Sequence, residues 1–270
     1  MIEIKNLDYN YTDGSRALKG VSLDLNQGSV IGVIGANGAG KSTLFLNIMG
    51  ILRPTGGEVQ FEGAPLKYVK SFLNNYRQQV GIVFQDPDKQ IFFSNVYDDV
   101  AFALRNAGCS EPLVKERVEE ALSAMDLLAV RNKPVHLLSY GQKKRVSIAG
   151  VLAMDGKVVL LDEPSAGLDP AMKEGIVQVI RLLQQKGKKV VVTSHDMDFI
   201  YRITDYVYVL RAGENHMEGP PEQVFLEEEV LISCGLEIPW LIKVHRHMNL
   251  PAFKEETALY QYWREHSWRS

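Results

Sequence analysis

Nine residues, 35–43 (GANGAGKST), limit what this chain can fold into more than any other stretch. They satisfy the pattern G-x-x-x-x-G-K-[ST], with Gly35, Gly40, Lys41 and Ser42 at the fixed positions. Residues 29–34 (SVIGVI) before them form an apolar, β-branched run that reads as a buried strand. After them, Leu44, Phe45, Ile48 and Met49 fall at helical spacing until Gly50 and Pro54 stop the run. Strand, glycine loop and helix in that order make a cradle for phosphates. The glycines let backbone N–H groups approach, and the new helix turns its positive end to the anion. Asn37, Gly38 and Thr43 complete the stretch that would wrap a nucleoside triphosphate. Lys41 would reach its β- and γ-phosphates, and the Ser42 hydroxyl would bind Mg²⁺.

The rest of the chain supplies a setting for such a loop. Residues 2–25 alternate apolar and polar around an Asp13-Gly14 turn and predict antiparallel strands, with Tyr9 and Tyr11 among them. Residues 58–61 (EVQF) and the Glu62-Gly63 turn predict a further hairpin. Residues 80–84 (VGIVF) read as a short buried strand. Asp86-Pro87-Asp88 then reads as a helix start, with Asp86 as cap and Pro87 in the first turn. The spacing is helical over about 90–130 and again over 139–151. Strands come next at 157–162 and 189–193, a helix at 171–185, and a last strand at 205–210. This alternation predicts an α/β fold with a mostly parallel core sheet. Beyond Gly219-Pro220-Pro221 no parallel strand is evident. Trp240, Tyr260, Tyr262, Trp263 and Trp268 cluster in a helical C-terminal appendage, as a satellite core or as a contact surface.

A hydrophobic fraction of 46% and a charged fraction of 23% allow a substantial core. A net charge of −3 supplies no basic field, so nucleic acid is not an expected partner. The opening MIEIKNLDYN has neither a basic nor an apolar leader region, and no stretch reaches the roughly 18 apolar residues of a membrane span. Cys109 and Cys234, the two cysteines, are far apart and read as free thiols in a reducing compartment. A cytoplasmic protein is expected, one that docks onto other subunits if it works at a membrane.

Residues 158–164 (VVLLDEP) end an apolar strand in two acids, at the sheet edge where ligands of open α/β folds bind. Asp162 suits the Mg²⁺ shell, and Glu163 is placed to orient or deprotonate an attacking water. Residues 138–142 (LSYGQ) open a second helix with Ser139 as its cap, another helix start able to face an anion. His245 and His247 do not make a metal site, because residues two apart on a helix point about 200° from each other.

Together these segments resemble the ATPase subunit of ABC transporters across residues 2–218. GANGAGKST is similar to the Walker A loop, Gln85 to the Q-loop, LSYGQ to the signature, VVLLDE to the Walker B strand, SAGLD (165–169) to the D-loop and His195 to the H-loop. Tyr140 stands where the commonest signature has Gly. The resemblance implies a phosphate-loop NTPase of the ABC type, with an N-terminal antiparallel β subdomain and a helical subdomain at about 86–153. Residues 1–218 would form the nucleotide-binding domain and 219–270 the appendage. It also implies roles for particular residues. Gln85 would join Ser42 and Asp162 around Mg²⁺. Tyr11, or else Tyr9, would stack on adenine. His195 would contact the γ-phosphate and reach the opposite subunit through Asp169. Two subunits would close head-to-tail over two ATPs, each site joining one Walker A loop to the partner's Ser139, Gly141 and Gln142.

Residues 85–93 (QDPDKQIFF) narrow the resemblance to energy-coupling-factor transporters, importers of vitamins and metal ions. Ile91, Phe92 and Phe93 would form an apolar lip gripping a transmembrane coupling subunit, or else belong to the core. LSYGQKKRVSIAGVLA and residues 239–251 (PWLIKVHRHMNLP) resemble the ATPases of cobalt importers. The implied protein lies at the cytoplasmic face of the cell membrane. Its partners would be a second ATPase subunit, an identical chain or not, a coupling subunit and a substrate-binding membrane subunit. Nickel or vitamin import is the alternative within the class. A soluble ABC ATPase acting on ribosomes or DNA is disfavoured by the single cassette and by fewer than 100 residues between Gly40 and Ser139. A dead regulatory cassette is opposed by Lys41, Asp162, Glu163 and His195.

Overall fold

The computed structural model describes residues 1–266; Trp268 lies outside the described residues. The chain opens with β1 (Ile2–Asn10) and β2 (Arg16–Asp24), paired antiparallel as their alternation predicts, with Ile2, Ile4, Leu7, Leu18, Val21 and Leu23 turned inward. Next come β3 (Val30–Ile34) and α1 (Lys41–Ile48), flanking the glycine loop. The strand β4 (Gly56–Phe61) returns to pair with β1 and hairpins through Glu62-Gly63 into β5 (Ala64–Pro65). A helix that sequence reasoning missed, α2 (Lys70–Gln79), leads into β6 (Val80–Val83).

Between β6 and the next strand lie α3 (Val96–Asn106), α4 (Glu111–Ala124) and α5 (Tyr140–Met154). The α/β alternation resumes with β7 (Val158–Asp162), α6 (Pro170–Gln185), β8 (Lys189–Thr193), α7 (Met197–Ile203), β9 (Tyr206–Arg211) and β10 (Glu214–Gly219). Within the described residues the strands make two sheets, one ordered β2-β1-β4-β5 and one ordered β10-β9-β3-β8-β7-β6. In the second, β9, β3, β8, β7 and β6 run parallel and β10 is antiparallel to β9. Every residue of β3 and β7 is buried, as continuous apolar runs in a doubly covered sheet should be. Their carboxyl ends bring residues 35–40 and the acids Asp162 and Glu163 to one edge.

Three local expectations need correction. Asp86 does cap, accepting the Asp88 N–H at 3.0 Å, but it opens only a single 3₁₀ turn, Pro87–Lys89. The helical pattern over 90–130 is α3 and α4, split at Gly108 (φ +78°). Before α3, Asp99 accepts the backbone N–H groups of Phe92 and Phe93, each at 3.1 Å, and holds that segment outside any helix. Lastly, β9 is succeeded by β10, an edge strand whose polar ENHMEG sequence carries no apolar alternation.

The C-terminal helices are α8 (Pro221–Val224), α9 (Glu228–Ser233), α10 (Trp240–Met248) and α11 (Glu256–His266). Val224, Phe225, Leu231, Ile242 and Leu259 join the same apolar cluster as Val30, Ile34 and Ile200. Phe225 meets Tyr201 edge to face, with centroids 5.7 Å apart. Polar ties reinforce the seam: the Trp240 N–H donates to Asp198 Oδ1 at 2.7 Å, Lys254 Nζ donates to the Thr204 carbonyl at 3.0 Å, and Arg181 pairs with Glu255. The aromatics divide. Trp240 packs against the core, whereas Tyr260 and Trp263 are exposed. The ring of His245 donates from Nδ1 to the Leu250 carbonyl.

Because Ile242 is fully buried in the shared core, Ile242→Ala should lower the free energy of unfolding by about 2–5 kcal/mol. Urea denaturation monitored by intrinsic fluorescence would show one cooperative transition shifted to lower denaturant. An early, separate melting of the C-terminal helices with the main transition unmoved would contradict this packing.

Candidate active site

The loop between β3 and α1 is shaped by glycines that no other residue could replace. A Cβ on Gly35 would come within 2.3 Å of the Leu210 carbonyl oxygen, and one on Gly40 (φ +102°) within 2.7 Å of the Ala17 carbonyl oxygen. Gly40 precedes α1 and offers no side-chain cap, so the first-turn N–H groups of that helix remain open to an outside acceptor. By contrast Ser139, Asp169 and Asp196 cap α5, α6 and α7 with their own side chains. Lys41 is buried, and its ammonium donates to the carbonyls of Gly35 at 2.6 Å and Ala36 at 3.1 Å. Those two bonds curl the loop and leave one of three N–H groups to reach outward. Burial pushes the Lys41 pKa below the usual lysine range, while Glu163 and Asp162 pull it back up.

The two acids are held by hydroxyls. Ser42 Oγ donates to Asp162 Oδ2 at 2.9 Å, and Thr193 Oγ1 donates to Asp162 Oδ1 at 2.6 Å. The same Thr193 oxygen accepts the Glu163 N–H at 3.0 Å, locking the ends of β7 and β8 together. Asp162 and Glu163 are only 6% and 5% exposed. Glu163 adopts φ +48°, a left-handed conformation costing about 1–3 kcal/mol in a residue with a Cβ. Its Oε2 accepts the His195 N–H at 3.1 Å. Its Oε1 is buried and has no hydrogen-bond partner among the described residues: His195 Nε2 lies 3.1 Å away but is not aligned to donate. A buried carboxylate oxygen without a donor is costly, and an incoming water can supply one. This oxygen borders a cleft of about 360 Å³ lined by Gln85, Ser165, Gly167, Leu168 and His195.

Five of the segments picked out from sequence thus converge: the glycine loop, Gln85, the β7 acids, residues 165–169 and His195. Asp162, with the Ser42 hydroxyl against it, offers the all-oxygen ligand set that Mg²⁺ takes. Tyr11 stands at the end of the loop, its hydroxyl 2.9 Å from Thr43 Oγ1 and its ring exposed, while the half-buried Tyr9 supports it edge-on at 5.0 Å. Asn37 and Gly38 lie exposed at the loop tip.

Ser139, Gly141 and Gln142 are built differently. Ser139 and Gln142 form a reciprocal capping box, with Gln142 N–H to Ser139 Oγ at 3.3 Å and Ser139 N–H to Gln142 Oε1 at 3.1 Å. No hydrogen bond among the described residues joins them to the glycine loop, and Ser139 faces solvent. Gly141 is buried because Met172 and Leu168 pack where its Cβ would be. The Tyr140 hydroxyl donates to the Gln85 carbonyl at 3.3 Å, and its ring lies against Gly167. Asp169 is exposed and caps α6 through the Met172 N–H at 2.8 Å.

Two residues with a clear place here escaped sequence reasoning. One is Thr193, whose hydroxyl serves both acids. The other is Lys144, fully buried, donating to the carbonyls of Gln85 at 2.7 Å, Glu163 at 3.1 Å and Phe84 at 3.2 Å. Its signal was in the sequence: a lysine three residues after Gly141 and four before Ile148, on the buried stripe of α5.

Comparison with known proteins agrees with the geometry. The family model described as ABC transporter matches residues 18–166. The chain is 46% identical over 260 residues to the cobalt import ATP-binding protein CbiO of Salmonella paratyphi A, covering 96% of each. It is 42% identical over 259 residues to the energy-coupling factor transporter ATP-binding protein EcfA of Methanothermobacter thermautotrophicus, covering 96% of this chain and 83% of that one. Among solved structures, cbiO1 from Clostridium perfringens, described as part of the ABC transporter complex cbiONQ, superposes with a TM-score of 0.78 at 40% identity, over 92% of this chain and 95% of that one.

Burial lowers the Lys144 pKa from 10.5 to about 8, against the attraction of Asp162, Glu163 and Asp86. The unfolded chain therefore binds more protons between those values, and stability should rise with pH across that window. The burial penalty is fully present below about pH 8 and gone above about 10.5. Relative to Lys144→Met, the unfolding free energy of the parent should gain up to about 3 kcal/mol from pH 8 to 10.5, read by urea melts at each pH. A flat difference would contradict the buried charge.

Proposed function

The chain belongs to the ABC transporter family, as an ATP-hydrolysing subunit of the CbiO and energy-coupling-factor type, and from that premise we propose that it powers import of Co²⁺. ATP would sit with its phosphates on residues 35–43, Tyr11 against the adenine, and Lys41 at the β- and γ-phosphates. Mg²⁺ would be held by Ser42, Asp162 and Gln85, where it would neutralise phosphate charge. Glu163 is the general base, its unpartnered Oε1 receiving a proton from the attacking water, and His195 orients that carboxylate and the γ-phosphate. The single observation that carries the reading is that orphaned, buried Oε1 at the mouth of the cleft.

Ser139 and Asp169 are exposed, and with Gly141 and Gln142 they would complete the site of a second ATPase subunit, closed head-to-tail on this one. Binding of ATP drives that closure, and hydrolysis reopens it. Residues 1–218 would form the cassette and 219–270 the appendage, of which Val224, Phe225, Leu231, Ile242 and Leu259 pack into the shared core. The membrane partners would be a coupling subunit and a substrate-binding subunit. No helix among the described residues is long and apolar enough to cross a membrane, so the chain would work at the cytoplasmic face through them. Phe92 is 65% exposed and stacks edge-on with Phe102 at 4.7 Å, beside a groove of about 230 Å³ that also takes in Arg77, Asp99 and Val151. That exposed aromatic edge supports Phe92 and Phe93 as the lip for the coupling subunit, while Ile91 packs against the core. Nickel or a vitamin would use the same ATPase, because the cargo is chosen in the membrane.

Glu163→Gln should retain ATP and accumulate as a closed dimer on gel filtration, with turnover reduced at least about a hundredfold. Hydrolysis by that variant at the parental rate would remove Glu163 as the base. Phe92→Asp should weaken capture of the coupling subunit about tenfold while leaving ATP affinity unchanged. Unaltered co-purification would take the lip away from this face. The cargo is decided by ATP-dependent uptake of ⁵⁷Co into vesicles carrying the whole complex; uptake of nickel or a vitamin without cobalt would overturn the cobalt reading.

A further inference from the structure

Lys144 has no accessible surface, so it does not itself meet nucleotide or water. Its ammonium has three N–H groups and three carbonyl acceptors, so every donor is used. Those acceptors belong to two separate segments: Phe84 and Gln85 come after β6, and Glu163 comes after β7. The lysine itself rides on α5, whose N-terminal end, capped by the exposed Ser139, is the end offered to a second subunit. One side chain thus joins the signature helix, the Gln85 backbone and the general base.

We propose that Lys144 is a positioning residue that holds the Glu163 peptide in its productive conformation and carries movement of α5 to it. The proposal rests on the reading of Glu163 as the base. A left-handed glutamate persists only where its surroundings over-determine it. Thr193 Oγ1 fixes the Glu163 peptide from the N–H side, and Lys144 fixes it from the carbonyl side. With the carbonyl released, the residue can relax toward an ordinary φ and swing its carboxylate away from the His195 N–H. The Tyr140 hydroxyl on the Gln85 carbonyl is a second tie from the same helix. Docking of a nucleotide against Ser139 therefore has a short, hydrogen-bonded route through α5 to the base. Lys144 touches no reacting atom and acts through Glu163.

The test is a double-mutant cycle on the full chain in its transporter complex. Lys144→Met should lower kcat roughly 10- to 100-fold, as expected for a misplaced base, with the KM for ATP within about twofold of the parent. In the Glu163→Gln background, the same substitution should cause no further loss of the residual hydrolysis measured in single turnovers. Lys144→Gln, whose amide keeps donors near the carbonyls, should fall between Lys144→Met and the parent, and it carries the same cycle if the apolar variant does not fold. A parental kcat in Lys144→Met, or a loss repeated in full in the Glu163→Gln background, would overturn the proposal. Failure of the base reading is separate, since it would show as parental hydrolysis in Glu163→Gln alone.

Discussion

At the carboxyl end of β7, two buried carboxylates share their surroundings with two buried ammonium groups, and the site depends on that balance. Lys41 and Lys144 would be costlier to charge in so little water without Asp162 and Glu163 nearby. Neither lysine makes a direct ion pair with an acid; both spend their N–H groups on backbone carbonyls instead. The charges are therefore compensated at a distance while the ammonium groups hold loops in shape. Lys41 opens the helix after the glycine loop, and Lys144 lies on the helix that Ser139 caps. The phosphate cradle and the signature helix consequently refer to the same strand end, even though in the proposed closed dimer they would contact different copies of the nucleotide.

The parts of this arrangement that arise from short-range chemistry were legible in the sequence. The glycine loop, the acids after an apolar strand, the Ser139 cap and the strand–helix alternation each carry their reason within a few residues. The elements that sequence reasoning missed are those whose reason lies elsewhere in the chain. In α2, KSFLNNYRQQ buries only Tyr76, so there is little apolar stripe to detect. The edge strand β10 is polar because, among the described residues, no strand pairs with it on its outer side. The segment before α3 stays out of the helix because Asp99 claims its N–H groups, which apolar spacing cannot reveal. Thr193 looks like any strand threonine until the strand next to it is known to end in two acids.

The C-terminal helices show the same division. Their helicity was readable; their role as one wall of the main core was not. The seam through Phe225, Ile242 and the Trp240–Asp198 bond lies against α6 and α7, the helices that begin at Asp169 and just after His195. Any shift of those helices in the proposed closure would therefore reach the C-terminal helices packed on them.

The central claim is that one chain holds only half of each site, and trans-complementation tests it most directly. One preparation carries Lys41→Ala and the other Ser139→Arg, and each is inactive on its own. Mixed within the transporter complex, they should recover ATP hydrolysis, because the intact loop of one copy meets the intact tip of the other. A mixture as inactive as its parts would show that the loop and the tip serve the same chain, and would contradict the account.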